Sequence, residues 1–201
     1  MSWLKPVTLQ DSAVSLVPLS HEHHDALVEA VKDGELWNLW YTLIPTPDKM
    51  TAEIDRRLGL HEKGSMLPFT VIDKAQNTPV GMTTYMNVDA ANRRVEIGST
   101  WYRKAVQRTA LNTRCKLLML SYAFEQLDCI AVEFRTHFFN HQSREAIARL
   151  GAKQDGILRN HQLGANGSMR DTVVFSILPN EWPAVKTHLR HRLNLAEGQN
   201  A

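Results

Sequence analysis

The sequence predicts an α/β sandwich built on a mixed, mostly antiparallel sheet of seven strands. Three observations carry this. Apolar patterning switches between periods of two and about 3.6 in the order β-α-α-β-β-β-α-β-α-β-β-α. Turn chemistry at QNTP (76–79), DAANRR (89–94) and GANGS (164–168) closes hairpins, so the flanking strands run antiparallel. One stretch, 93–138, reads strand, long helix, strand, which requires a parallel crossover and marks where a ligand crevice is expected.

Residues 1–13 form a polar lead-in, and VSLVPLS (14–20) suits a short strand. Acids and histidines open a helix across EHHDALVEAVKDG. Leu27, Ala30 and Val31 fall at helical spacing there, and Gly34 fits its stop. Residues 35–45 concentrate aromatics, with Trp37, Trp40 and Tyr41 close together. Pro45 and Pro47 break the chain. Thr46 can cap the next helix, on which Met50, Ile54 and Leu58 share a face.

The runs 67–73, 79–88 and 93–102 are β-rich. Residues 111–128 make a helix of about five turns, apolar nearly all round and therefore buried. CIAVEFRTHF (129–138) is a strand, and Asn140 caps a short helix that stops at Gly151. ILRNHQL (157–163) and MRDTVVFSIL (169–178) form the last hairpin. Residues 181–193 close the chain as a helix with Pro183 in its first turn.

A chain of 201 residues fits one domain, expected over 1–201 with a core of about 8–193. Hydrophobic residues at 43% and charged residues at 22% exclude a disordered, collagen-like or coiled-coil chain. A formal net charge of +2 argues against a nucleic-acid partner, which needs a concentrated basic face. No apolar run reaches the ~20 residues of a membrane span, and the N-terminus lacks a signal peptide's apolar core. A cytoplasmic location and no membrane partner are therefore expected. Cys115 and Cys129 read as reduced thiols. His21, His23 and His24 lie at a helix start without a nearby cysteine, so no metal is expected.

The loop WYRKAVQRTALN joins a strand to the buried helix, with Arg103, Lys104, Arg108 and Arg114 around it. A helix start offers free N–H groups and a positive dipole end, so it can hold phosphate. Phosphate loops usually carry glycines, so an ordinary solvated helix end stays open on this ground alone.

Six motifs then follow in order: V-Q-R-T-A-L-N (106–112), N-H-Q-S (140–143), R-L-G-A (149–152), D-G-I-L-R (155–159), R-D-T-V-V-F-S-I (170–177) and E-W-P (181–183). The ordered set resembles the GNAT N-acetyltransferase superfamily. It is most similar to the branch that includes the bacterial ribosomal-protein N-terminal acetyltransferases. The resemblance implies a three-layer sandwich whose splayed strands, 93–102 and 129–138, admit the pantetheine arm of acetyl-coenzyme A. It implies acetyl transfer to a primary amine, a protein N-terminus or a small molecule, by direct attack in a ternary complex.

By the same resemblance, Thr100, Trp101 and Tyr102 offer backbone groups to the pantetheine. The pyrophosphate sits on N–H groups of Gln107, Arg108, Thr109, Ala110, Leu111 and Asn112, and Asn140 bonds the arm. A plain helix cap is the competing role for Asn140. Relatives carry glycines where this chain has Arg108 and Ala110. Arg108 therefore either reaches the phosphates itself or costs cofactor affinity. The second outcome would leave a catalytically impaired acyl-coenzyme A-binding or protein-interaction module.

An α-amino group has a pKa of ~8 and a lysine amine ~10.4, so a base must take a proton. Glu96 is the first candidate; its competing reading is an exposed carboxylate paired with Arg94 or Arg135. Asp89 and Glu133 rank below it. Where some relatives carry an acid, this chain has Gln162, and alternation turns His161 to the opposite face. Ile147 occupies the usual tyrosine position, so Ser143 is expected to hydrogen-bond the departing sulfur. Trp37, Trp40, Tyr41 and the GANGS loop are assigned to the acceptor pocket. Arg170 and Asp171 are expected to orient the last hairpin through a salt bridge. A homodimer is the preferred assembly.

Overall fold

A computed structural model describes residues 3–164 and 166–195. The chain runs β1 (Leu9–Gln10), β2 (Val14–Pro18), α1 (His24–Lys32), α2 (Met50–Glu62), β3 (Met66–Asp73), β4 (Thr78–Asp89) and β5 (Arg94–Tyr102). It continues through α3 (Leu111–Glu125), β6 (Ala131–His137), α4 (His141–Ala148), β7 (Lys153–Leu163), β8 (Met169–Ile177) and α5 (Trp182–Arg192). The strands form one sheet in the order β1-β2-β3-β4-β5-β6-β8-β7.

The sheet has eight strands, not the seven expected. The addition is β1, inside the stretch read as a polar lead-in. Asp11 Oδ1 accepts the N–H groups of Ala13 and Val14 and turns the chain back, so Leu9 pairs with Leu16. Leu4 and Leu9 are buried beneath. Two helix starts also shift. His21–His23 form a 3-10 turn ahead of α1, and Pro47–Lys49 form another ahead of α2, where Thr46 makes no side-chain cap. The end of the C-terminal tail, 196–201, and position 165 of the GANGS loop lie outside the described residues.

Strand alternation, reset by the bulges at Val80 in β4 and at Ser99 in β5, sorts side chains into two apolar layers. Val80 and Tyr85 of β4, Phe134 of β6 and Val173, Phe175 and Ile177 of β8 join Leu117, Met119 and Phe124 of α3 and Trp182 of α5. Met82 of β4 and Trp101 of β5 join Leu27 and Val31 of α1 and Ile54 of α2 on the other face. Cys115 and Cys129 are free and buried, and burial pushes both thiols up to about 12. No helix among the described residues is long and apolar enough to cross a membrane.

Among the described residues, the pairing of β5 with β6 is the one parallel contact, and it is short: Arg94 with Ala131, Val95 with Val132, Glu96 with Glu133. Past Glu96, β5 stays with β4 while β6 follows β8, so the sheet opens as a V. At the same level β5 bulges. Met82 pairs with Trp101 and Thr84 with Gly98, so Thr83 alone faces Ser99 and Thr100. Ser99 takes a φ of +47° there, a left-handed conformation that costs a non-glycine residue about 1–2 kcal/mol.

Candidate active site

The V opens into a cleft of about 910 Å³. Along its β5 edge no strand takes up the outward N–H and C=O groups, so they face the cleft. Thr100, Trp101 and Tyr102 line this wall, followed by Gln107, Arg108, Thr109 and Asn112. The helix α3 starts at Leu111, and its first-turn N–H groups have no partner within the helix.

The loop before α3 differs in detail from an even cradle of six N–H groups. Gln107 donates its N–H to the Lys104 carbonyl at 3.0 Å, and Leu111 donates to Thr109 Oγ1 at 3.2 Å. Ala110 and Leu111 line a separate hollow of about 410 Å³ behind the loop. Arg108 has a φ of +61°. The backbone therefore keeps the left-handed turn that a glycine would supply, with an arginine in it, at a cost of about 1–2 kcal/mol. The basic cluster is also thinner than its sequence suggests. Arg103 pairs with Asp33 at 3.1 Å and Arg114 with Asp11 at 2.6 Å.

Opposite this loop, Asn140 and Ser143 line the cleft from the start of α4. Asn140 Oδ1 accepts the Ser143 N–H at 3.0 Å, so the carboxamide does cap the helix. Its NH₂ is the group it can still offer. Ile147 is buried on the inner face of the same helix.

Glu96 sits where the strands part, only 6% exposed. Asn87 Nδ2 donates to its Oε2 at 2.7 Å, and Arg135 Nε stands 3.5 Å away. Burial raises its carboxyl above the usual range, outweighing the Asn87 hydrogen bond and the Arg135 charge. It is neither exposed nor paired with Arg94, which donates to Glu133 instead, although the Arg135 pairing of the competing reading is present. Arg135 also donates to Glu133, at 2.9 Å. Burial pushes the Glu133 carboxyl up, but these hydrogen bonds win and hold it low. Asp89 is bonded by Asn92 in the β4–β5 turn, which holds it low, and it is not among the cleft-lining residues.

Two buried cations escaped the sequence reading. Lys116 on α3 donates Nζ to Thr83 Oγ1 at 3.1 Å and Thr100 Oγ1 at 3.0 Å. Burial lowers its ammonium to about 8. Arg57 on α2 donates to Glu53 at 2.7 Å, to Thr84 Oγ1 at 2.8 Å and to the Ser99 carbonyl at 3.0 Å. The available signal was a lysine inside the apolar run of α3; nothing in the sequence singled out Arg57.

The aromatics expected to line an acceptor pocket divide. Tyr41 lines the cleft beside Leu39 and Thr42. Trp40 packs edge-on against His137 at 4.9 Å, on the rim with Phe139. Trp37 packs into the α1–α2 core and does not line the cleft. His137 Nδ1 accepts the Phe139 N–H at 3.1 Å, and burial followed by the Arg170 charge lowers its pKa.

His161 does not face away. Both His161 and Gln162 line the cleft, because β7 has an irregular register between Leu158 and Gln162 and Asn160 takes a φ of +48°. A bulge resets alternation, so the parity argument fails there. The Arg170–Asp171 salt bridge is also absent. Adjacent strand residues point to opposite faces, and Asp171 instead accepts from Arg159 and the Asn160 N–H.

Comparisons with known proteins agree with this geometry. Residues 14–153 match the acetyltransferase (GNAT) domain family. YdaF of Bacillus subtilis (strain 168), a candidate ribosomal N-acetyltransferase, is 33% identical over 106 residues; the match spans 53% of this chain and 57% of YdaF's length. A GCN5-related N-acetyltransferase from Brucella melitensis superposes with a TM-score of 0.84 at 29% identity, over 98% of this chain and 91% of that one. Mycobacterium smegmatis RimJ in complex with CoA-disulfide shares the fold, with a TM-score of 0.76 at 19% identity over 96% of this chain and 95% of that one. The family match covers more than half of the chain and takes in β5, α3 and β6, the elements that build the V, and on that ground the chain belongs to the GNAT acetyltransferase family.

Proposed function

We propose that the chain transfers an acetyl group from acetyl-coenzyme A to a primary amine in a ternary complex, with Glu96 as general base. One observation supports this above the rest. A buried carboxylate with a raised pKa lies where β5 and β6 part and lines the cleft. A base tuned upward matches the task of taking a proton from an ammonium near neutrality.

The residues present suit the co-substrate. The pantetheine arm would run along Thr100, Trp101 and Tyr102, and Asn140 would donate its NH₂ to it. The pyrophosphate would meet Arg108, Thr109 and the first N–H groups of α3, Asn112 among them. The thioester supplies an activated acetyl group when bound. Glu96 takes the amine proton, and backbone N–H groups at the Ser99 bulge receive the charge that develops on the carbonyl oxygen. The Ser143 hydroxyl hydrogen-bonds the departing sulfur. Trp40 and Tyr41 frame the acceptor's entrance. A protein N-terminus is one acceptor of this kind; YdaF is named for N-acetylation at the ribosome.

The reading as an impaired binding module was motivated by an arginine at a glycine position and by Gln162 and Ile147, where relatives carry an acid and a tyrosine. Because Arg108 holds a φ of +61°, the first of these motives loses its weight. The test is thiol release with a panel of amines and peptides across pH. Turnover should rise with pH through a value above the ordinary carboxylate range. Glu96→Gln should abolish that limb and cut turnover by about 100-fold or more while coenzyme A still binds. Binding without turnover across the panel, or an unchanged pH–rate profile in Glu96→Gln, would overturn the proposal.

A further inference from the structure

Among the described residues, several cations that line the cleft have no ion pair, Arg108, Lys116 and Arg170 among them, and Lys116 donates instead to Thr83 and Thr100. Glu53 holds Arg56 and Arg57, and Glu133 holds Arg94 and Arg135. Arg170 on β8 makes no ion pair with any described carboxylate, and its buried Nε has no hydrogen-bond partner among the described residues. Strand alternation fixes where it points. Val173, Phe175 and Ile177 enter the core beneath α3 and α5, which turns Arg170 and Thr172 into the cleft.

The neighbours do not neutralise it. Gln162 stands directly across the ladder from Arg170. An acid there would pair with the guanidinium, whereas a carboxamide leaves its charge in place. His161 is bonded to Thr172 Oγ1 at 3.1 Å, and His137 accepts the Phe139 N–H. Glu96 lies beyond ion-pair contact yet near enough for its charge to act on Arg170. A partly buried guanidinium without an anion is costly, and its planar fork fits a carboxylate with two parallel hydrogen bonds.

We infer that Arg170 recognises an anionic group of the carboxylate class, carried by the acceptor close to its amine. This rests on the acetyl-transfer reading and adds the charge of the acceptor: amine at Glu96, anion at Arg170. Two sources share this chemistry, the α-carboxylate of a free amino acid and an acidic side chain beside a peptide N-terminus.

Thiol release separates them. One arm compares alanine with alaninamide; the other compares the peptide amides Asp-Ala-Ala and Asn-Ala-Ala. In each arm kcat/KM for the anionic member is divided by that for the neutral one, in wild type and in Arg170→Gln. Intrinsic differences between the amines cancel when the two ratios are compared. In one arm the ratio should fall at least ~10-fold in Arg170→Gln, and less in Arg170→Lys, which keeps the charge and loses the fork. The arm that responds names the source. Ratios unchanged by Arg170→Gln in both arms overturn the inference while leaving acetyl transfer standing. Should Arg170→Gln fail to fold, Arg170→Met, which also removes the charge, is judged by the same criterion. Absence of thiol release from every acceptor, neutral amines included, overturns the acetyl-transfer reading and the inference with it.

Discussion

Arg57 and Lys116 hold neighbouring residues of one bulge from opposite faces of the sheet. Arg57 Nη2 donates to the Ser99 carbonyl at 3.0 Å, and Lys116 Nζ donates to Thr100 Oγ1, also at 3.0 Å. Between them they pin the segment in which Ser99 keeps a φ of +47°. Arg57 is 1% exposed and shares Glu53 with Arg56. Arg57→Ala therefore leaves Thr84 and Ser99 without their donor and weakens the hold on Glu53. It should cost about 3 kcal/mol in urea unfolding, at the lower end for a broken buried pair because Arg56 remains. Where the variant folds, kcat should fall further than coenzyme A affinity. Equal losses in both would mean that the contact carries the fold and not the bulge.

Lys116 makes a different prediction, because no carboxylate pairs with it among the described residues. Its ammonium is lowered from 10.5 to about 8 by burial. The folded value lies below the unfolded one, so below pH 8 the buried charge weakens the fold. Between pH 8 and 10.5 the folded state sheds a proton that the unfolded state keeps, and stability rises with pH through that window. Lys116→Met removes the effect. Its stability relative to wild type should be highest near pH 7 and should decline by about 3 kcal/mol by pH 10.5, given 1.36 kcal/mol per pKa unit. Urea unfolding of both proteins at matched pH measures the difference, and groups common to both cancel. A difference flat with pH would show the amine to be neutral or already solvated.

Arg108→Gly separates the backbone of the phosphate loop from the side chain. With a φ of +61°, the site favours glycine. The variant should gain about 1 kcal/mol of stability. If the guanidinium meets the pyrophosphate, coenzyme A should bind several-fold more weakly, because a charge-assisted contact is lost. Titration calorimetry reads both possibilities. Unchanged affinity with raised stability would assign phosphate binding to the backbone alone.

What the sequence made legible was periodic. The crossover through β5, α3 and β6 could be read because three long elements switch period at clear boundaries. With it came the expectation of a ligand crevice; the splaying of its strands and the residues around it followed from the resemblance to the acetyltransferase superfamily. β1 could not be read, because two residues have no period. His161 was misplaced because parity holds only while a strand stays regular, and the irregularity beside Asn160 leaves no mark in residue type. The left-handed turn at Arg108 is equally silent, since arginine gives no hint of positive φ. Arg170 and Asp171 show the opposite error. Adjacency suggested a pair, although strand geometry itself forbids it. Lys116 is visible as a lysine in a helix that is apolar nearly all round, but the pattern does not say which hydroxyls it meets.

Asn140 carries two proposed roles on one carboxamide, and they can be pulled apart. Its Oδ1 accepts the Ser143 N–H at 3.0 Å and caps α4, while its NH₂ remains for the pantetheine arm. Asn140→Asp keeps the capping oxygen, places a negative charge at a helix N-terminus, where it is favourable by about 0.3–1 kcal/mol, and removes the NH₂ donor. Asn140→Ala removes both oxygen and NH₂ and should cost about 1 kcal/mol of stability. The Asp variant should thus unfold at the same urea concentration as wild type or slightly above it, yet bind coenzyme A as weakly as the Ala variant. Stability and affinity would then move independently at one position. If Asn140→Asp instead binds coenzyme A as wild type does, the carboxamide serves the helix alone, and the arm must take its hydrogen bonds from the backbone of β5.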